Sequence, residues 1–258
     1  MIITLKQIHK IMEENLKTAI VTGGARRIGA AICRRLHEKN INLLIHYNSS
    51  KKEVLALQSE LCANRKNSVQ IFAADLTKIN GCLKLIAFCI KYFGRLDILI
   101  NNASTYYPTE IGKITTEHWE DLLGINLKAP LFLSQAAAPF LKKTKGSIIN
   151  ITDANIDNPK KGYSVYSIAK AGLINLTKSL SQDLAPEIRV NSIAPGPIIW
   201  PDSKQPFDEN YKQIVIKQTL LNRTGEPNDI AQAVEFILAA NYITGHNLKV
   251  DGGRSIST

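Results

Sequence analysis

Thr22-Gly23-Gly24-Ala25-Arg26-Arg27-Ile28-Gly29 is the stretch on which the reading of this chain turns. It follows a short apolar run, Thr18–Val21, and leads into 28–39, where Ile28, Ile32 and Leu36 share one helical face. A glycine-rich turn carries information only in that strand-to-helix setting. Glycine lets the backbone turn tightly and approach a pyrophosphate, and the helix N-terminus presents unpaired N–H groups to it. Arg26 and Arg27 place cations beside the turn, where they can meet a further phosphate.

The same alternation continues outward. Residues 41–47 are apolar and β-rich, and 51–64 are helical, with Val54, Leu57 and Leu61 aligned. Residues 69–73 read as a strand and 82–93 as a helix. Strands at 97–100 and 147–151 flank a long helical stretch at 119–141. A helix over 166–184, a strand over 189–193 and a last short strand over 248–250 complete the reading. Apolar strands alternating with helices imply βαβ units, hence an α/β fold with one doubly wound parallel sheet and helices on both faces. The expected organisation is an N-terminal extension, 1–15, and a single domain, 16–258. The extension is either a helix packed on the outside or the product of an early start codon, with Met12 the true start. The Pro-rich stretch 195–206 interrupts the alternation. It opens a loop at about 197–226 that is either a substrate lid or a plain surface excursion.

Composition narrows the function classes. At 258 residues with 45% hydrophobic and 21% charged side chains, the chain suits one sizeable globular core. No apolar run approaches the roughly 20 residues that span a bilayer, and the first residues lack a secretory h-region. A cytoplasmic location and no membrane partner are expected. The formal net charge of +10 comes from dispersed basic residues without interleaved aromatics, so no nucleic-acid partner is expected. Cys33, Cys62, Cys82 and Cys89 are scattered without CxxC spacing, so neither a metal site nor a disulfide framework is expected.

Two further clusters suggest chemistry. The end of the second strand reads His46-Tyr47-Asn48-Ser49-Ser50. No carboxylate is there to repel a ribose 2′-phosphate, while hydroxyls and an imidazole can donate to one, which favours NADPH over NADH. Tyr166 and Lys170 stand at i and i+4, on one face of a helix. A nearby ammonium should lower the tyrosine pKa from its usual value of about 10 and suit it to proton transfer.

With these residues in place, the chain resembles the short-chain dehydrogenase/reductase family, whose fold is Rossmann-type. The resemblance runs from Thr18 to Gly253. It rests on the turn at 22–29, Asp75, Asn101-Asn102-Ala103-Ser104, Asn126, Tyr166, Lys170 and Pro195-Gly196. It implies that Gly23, Arg26, Arg27, Ile28, Gly29, Leu76, Ser104, Pro195 and Gly196 contact the cofactor, and that Asp75 meets its adenine end. Asn102 and Ala103 would shape the nicotinamide side. Lys170 would bind the nicotinamide ribose, and Asn126 would hold a water in a proton relay. The resemblance also implies a homotetramer, with the helices at 119–141 and 166–184 in an interface.

Two departures point to the pteridine reductase-like subfamily. Arg27 stands where family members usually carry glycine, and Asp153 stands where they carry a catalytic serine. The leading expectation is therefore an NADPH-dependent reductase of dihydropterins, with dihydrobiopterin, dihydromonapterin or dihydrofolate as substrate. Arg27, His46 and Ser50 would hold the 2′-phosphate. Asp153, Tyr166, Lys170 and Asn126 would be catalytic. Ser104, Tyr106 and Trp200 would complete the substrate pocket, Tyr106 by stacking on the pterin. One alternative is a carbonyl or 3-oxoacyl reductase of the same family. A second, from another class, is a non-catalytic NADPH-binding regulator.

Overall fold

The computed structural model describes residues 16–198 and 208–257. The expected extension 1–15 and Trp200 lie outside the described residues. Seven strands form one parallel sheet in the order β3-β2-β1-β4-β5-β6-β7. They are β1 (Thr18–Val21), β2 (Asn42–Tyr47), β3 (Val69–Ala73), β4 (Ile98–Asn101), β5 (Ser147–Ile151), β6 (Arg189–Pro195) and β7 (Asn247–Val250). The order reverses between β1 and β4, where Ala19 pairs with Ile98 and Val21 with Ile100. A crevice opens at such a switch point beyond the carboxyl ends of the strands.

Period-2 alternation divides the core. Along β1, Ala19 and Val21 face one side of the sheet and Ile20 the other. The first side is covered by α1 (Arg27–Glu38), α2 (Lys51–Asn64) and α8 (Pro227–Ala239). They contribute Ile32, Leu36, Val54, Leu57, Ile230, Val234 and Ile237. The second side is covered by α3 (Ile79–Phe93), α5 (Ala129–Thr144) and α6 (Ser164–Asp183), through Leu85, Ile86, Leu133, Leu141 and Leu180. No helix among the described residues is long and apolar enough to cross a membrane.

The long helix expected at 119–141 is two helices. Helix α4 (Thr116–Leu123) passes through a π-helical turn, Gly124–Lys128, into α5. There the Ala129 N–H reaches back to the Gly124 carbonyl, while the Asn126 amide donates to the Leu122 carbonyl at 2.9 Å. A polar side chain inserted into the helical ladder explains the break. The sequence reading also omitted α8, although Ile230, Val234 and Ile237 recur at helical spacing behind Pro227. Within the expected loop 197–226 lies α7 (Glu209–Lys217).

Candidate active site

The crevice at the switch point is lined by the turn after β1. Gly23 has φ +58, and a Cβ there would sit 2.9 Å from the Ala103 Cα. A Cβ on Gly29 would overlap the Gly23 carbonyl oxygen. Only glycine permits this close approach of two loops. Arg27, the first residue of α1, has φ +52. That conformation costs a non-glycine residue about 1–2 kcal/mol, which explains why glycine is usual there and marks Arg27 as a functional candidate.

Thr22 and Asn102 lock the two loops together. The Thr22 hydroxyl accepts from the Asn102 and Ala103 N–H groups at 2.9 and 3.0 Å. The Asn102 amide donates to the Thr22 and Gly23 carbonyls at 2.9 and 3.1 Å. Asn102 thus braces the glycine turn, where the sequence reading assigned it to the nicotinamide side. His46, expected to hold the 2′-phosphate, braces the same turn instead. It is 2% exposed, its Nδ1 accepts from the Gly23 N–H at 3.2 Å, and its Nε2 lies 2.9 Å from the Ala74 carbonyl. The carbonyl can only accept, so Nε2 carries the proton. Burial pulls the imidazole pKa down to about 4. A neutral ring with both nitrogens engaged supports the turn and does not present a cation to a phosphate.

The resulting cavity has a volume of about 610 Å³. It is lined by Gly23, Arg26, Arg27, Ile28, Gly29, His46, Tyr47, Asn48, Ser49, Ser50, Asp75, Leu76, Asn102, Ala103, Ser104 and Gly196. Its size lies within the usual range for small-molecule sites. Pro195 and Lys170 are not among its walls. Ala25, Thr77, Thr105, Asp121 and Ile125, which the sequence reading did not single out, are. Asp75 caps its own turn, accepting from the Thr77 N–H and hydroxyl at 2.9 and 2.7 Å. These bonds hold its carboxyl below the usual range.

A second cavity of about 640 Å³ adjoins the first and shares Arg26, Arg27, Ile28, Ser104, Gly196 and Ile198 with it. Asp153 and Tyr166 meet in it. The Tyr166 hydroxyl donates to Asp153 Oδ2 at 2.9 Å. Asp153 Oδ1 accepts from the Asn155 backbone and side-chain amides at 2.7 and 3.1 Å. Lys170 is 3% exposed and donates to the Ile151 carbonyl at 2.8 Å. Its Nζ lies 5.9 Å from the Tyr166 ring centroid. Burial lowers the Lys170 pKa to about 8. The expected lowering of the Tyr166 pKa is reversed. Burial and the facing Asp153 carboxylate both disfavour phenolate and push it up.

Tyr106 stacks on Tyr163 with ring centroids 4.6 Å apart and meets Tyr166 edge-on at 4.8 Å. The Thr109 N–H, donating to the Gly162 carbonyl, ties the two loops that carry this stack. Tyr163 was not singled out in the sequence, although it lies three residues before Tyr166. Asn126 is fully buried outside both linings. It accepts from the Ser104 hydroxyl at 2.6 Å and donates to the Thr105 carbonyl at 3.1 Å, so it fastens the loop after β4.

A family model described as enoyl-(acyl carrier protein) reductase matches residues 23–255. The chain belongs to the short-chain dehydrogenase/reductase family. Three relatives show the spread of named activities in this family. Pteridine reductase 1 of Leishmania tarentolae is 33% identical over 93% of this chain and 96% of its own length. The 3-oxoacyl-acyl-carrier-protein reductase FabG of Staphylococcus aureus is 34% identical over 92% and 97%. The 7alpha-hydroxysteroid dehydrogenase of Bacteroides fragilis is 30% identical over 93% and 95%. As a short-chain dehydrogenase/reductase, the protein is an oxidoreductase, and members of the family use NAD(P)H. Among the described residues no group of His, Cys, Asp and Glu side chains could hold a metal ion.

Proposed function

We propose that this protein is an NADPH-dependent reductase that converts dihydropterins to tetrahydropterins. The observation that carries the reading is the 2.9 Å hydrogen bond from the Tyr166 hydroxyl to Asp153. A ketone reduced to an alcohol needs hydroxyl donors at its oxygen, and a carboxylate at that position donates nothing. A pterin C=N needs one proton on nitrogen, and its amino-pyrimidine edge offers donors that a carboxylate can accept.

The cofactor fits the residues present. Gly23 and Gly29 form a cradle that a Cβ would fill, beside the N-terminus of α1. Arg26, Arg27, Ser49 and Ser50 line the cavity where no carboxylate follows β2, which suits a 2′-phosphate. When bound, the cofactor supplies a hydride from nicotinamide C4. Tyr166 holds its proton at neutral pH and donates it to the ring nitrogen. Lys170, donating to the Ile151 carbonyl with its Nζ 5.9 Å from the Tyr166 ring centroid, keeps a positive charge beside Tyr166. Asp153 orients the phenol and holds the substrate's amino edge. Tyr106 offers a ring face at the cavity wall.

The second reading is a 3-oxoacyl reductase, favoured by the 34% identity to FabG. Asp153→Ser separates the two. It should lower dihydropterin turnover by about 100-fold, within the usual range for losing a general acid–base partner, while NADPH binding followed by its fluorescence is retained. Turnover within about twofold of wild type would remove the basis for the pterin reading.

A further inference from the structure

The loop after β4 is fastened at both ends. Ser104 and Thr105 bond to Asn126 at one end, and the Thr109 N–H donates to the Gly162 carbonyl at the other. Between these ties the chain reads Tyr106-Tyr107-Pro108. A residue before proline is held extended, and successive side chains of an extended chain point opposite ways. The two tyrosines therefore part. Tyr106 lines the cavity that holds Asp153 and Tyr166, where it stacks on Tyr163 and meets Tyr166 edge-on. Tyr107 lines neither cavity and turns to α4.

Helix α4 receives it with His118 and Asp121, which stand three residues apart on one helical face. The Tyr107 hydroxyl donates to Asp121 Oδ2 at 2.9 Å. Its ring meets that of His118 edge-on at 5.9 Å and packs against the small cluster of Leu122, Val165 and Tyr166. Asp121 is itself part of the cofactor cavity wall. One hydrogen bond thus joins that wall to the residue beside Tyr106. A phenol donating to a carboxylate is charge-assisted and about twice as strong as a neutral pair.

We propose that Tyr107 is a positioning residue, which through its bond to Asp121 holds the Tyr106 ring against Tyr166 and so sets the wall that places a substrate at the Tyr166 hydroxyl. The proposal rests on Tyr166 as proton donor and is independent of which substrate is reduced. Without the bond, the middle of the loop loses its side-chain tie to α4, and Tyr106 loses its fixed place. Misplacing a reactant beside its proton donor lowers the rate of the bound complex.

The first test reads the ring itself. The full chain is labelled with 3-fluorotyrosine, and the Tyr106 fluorine resonance is assigned by its loss in Tyr106→Phe. Asp121→Ala, which leaves both tyrosines intact, should shift the Tyr106 resonance, and Asp121→Asn, which keeps an acceptor, should restore it toward the wild-type position. The second test is kcat at saturating NADPH, with whichever of dihydrobiopterin and an acetoacetyl thioester the protein turns over. Tyr107→Phe and Asp121→Ala should each lower kcat about tenfold, the scale of one hydrogen bond to a charged group. The double variant should fall no further, because both changes remove the same bond. A Tyr106 resonance unmoved in Asp121→Ala, a kcat within about twofold of wild type in both single variants, or single losses that multiply in the double variant each overturns the proposal. If the wild type reduces neither compound, the catalytic reading fails by itself, and the Tyr106 resonance alone decides whether the bond positions the ring.

Discussion

At the residue scale, chemistry was legible where a side chain acts through its own identity. Asp153 and Tyr166, thirteen positions apart in sequence, meet at 2.9 Å. Residues whose role depends on what surrounds them were misread. His46 looks like a phosphate donor in sequence, yet its ring braces the Gly23 turn because Ala74 and Gly23 claim both nitrogens. Tyr166 was expected to be acidified by Lys170, but a sequence does not show burial, and burial dominates. The placement of His46 has a pH consequence. Its folded pKa of about 4 lies below the ordinary 6.5. Above pH 6.5 the ring is neutral in both states and the stability is whole. As pH falls from 6.5 through 4, the unfolded chain takes up a proton that the fold resists, and stability is lost. Linkage puts that loss on the order of 2 kcal/mol by about pH 5. His46→Gln can keep one acceptor and one donor without titrating. Urea unfolding between about pH 7 and pH 5 should therefore show a smaller loss in His46→Gln than in wild type. An equal loss would assign the acid sensitivity to other groups.

At the element scale, β1, α2, β3 and β5 begin and end where their periodicity indicates, because apolar alternation and helical spacing are local properties. The break at Gly124–Lys128 was not legible. It depends on Asn126 turning its amide to Leu122 in its own helix and to Thr105 in a distant loop. The sequence shows a polar residue in a helix, not where it points. The π-helical turn couples that helix to the loop carrying Ser104 and Tyr106. Asn126→Ala should leave the Ser104 hydroxyl and the Thr105 carbonyl without this partner. It should cost about 1–3 kcal/mol in urea unfolding and weaken NADPH binding through the displaced loop. A loss below about 0.5 kcal/mol would mean that helix packing alone holds the turn.

At the scale of the whole molecule, the parallel doubly wound sheet followed from the order of strands and helices, and the crevice followed from the sheet's reversal between β1 and β4. The substrate does not follow from the fold, since relatives named for pterin, 3-oxoacyl and steroid chemistry share it at 30–34% identity. The substrate reading proposed here rests instead on individual side chains at the crevice, Arg27 and Asp153. Trp119 on α4, Leu131 on α5 and Ile168 on α6 are exposed large apolar side chains. The most direct measurement is NADPH oxidation by the purified protein with a dihydropterin and an acetoacetyl thioester side by side, repeated with NADH. Turnover of the dihydropterin alone, with NADPH preferred, is the predicted result. Turnover of the thioester alone would contradict the account and place Asp153 in ordinary ketone chemistry.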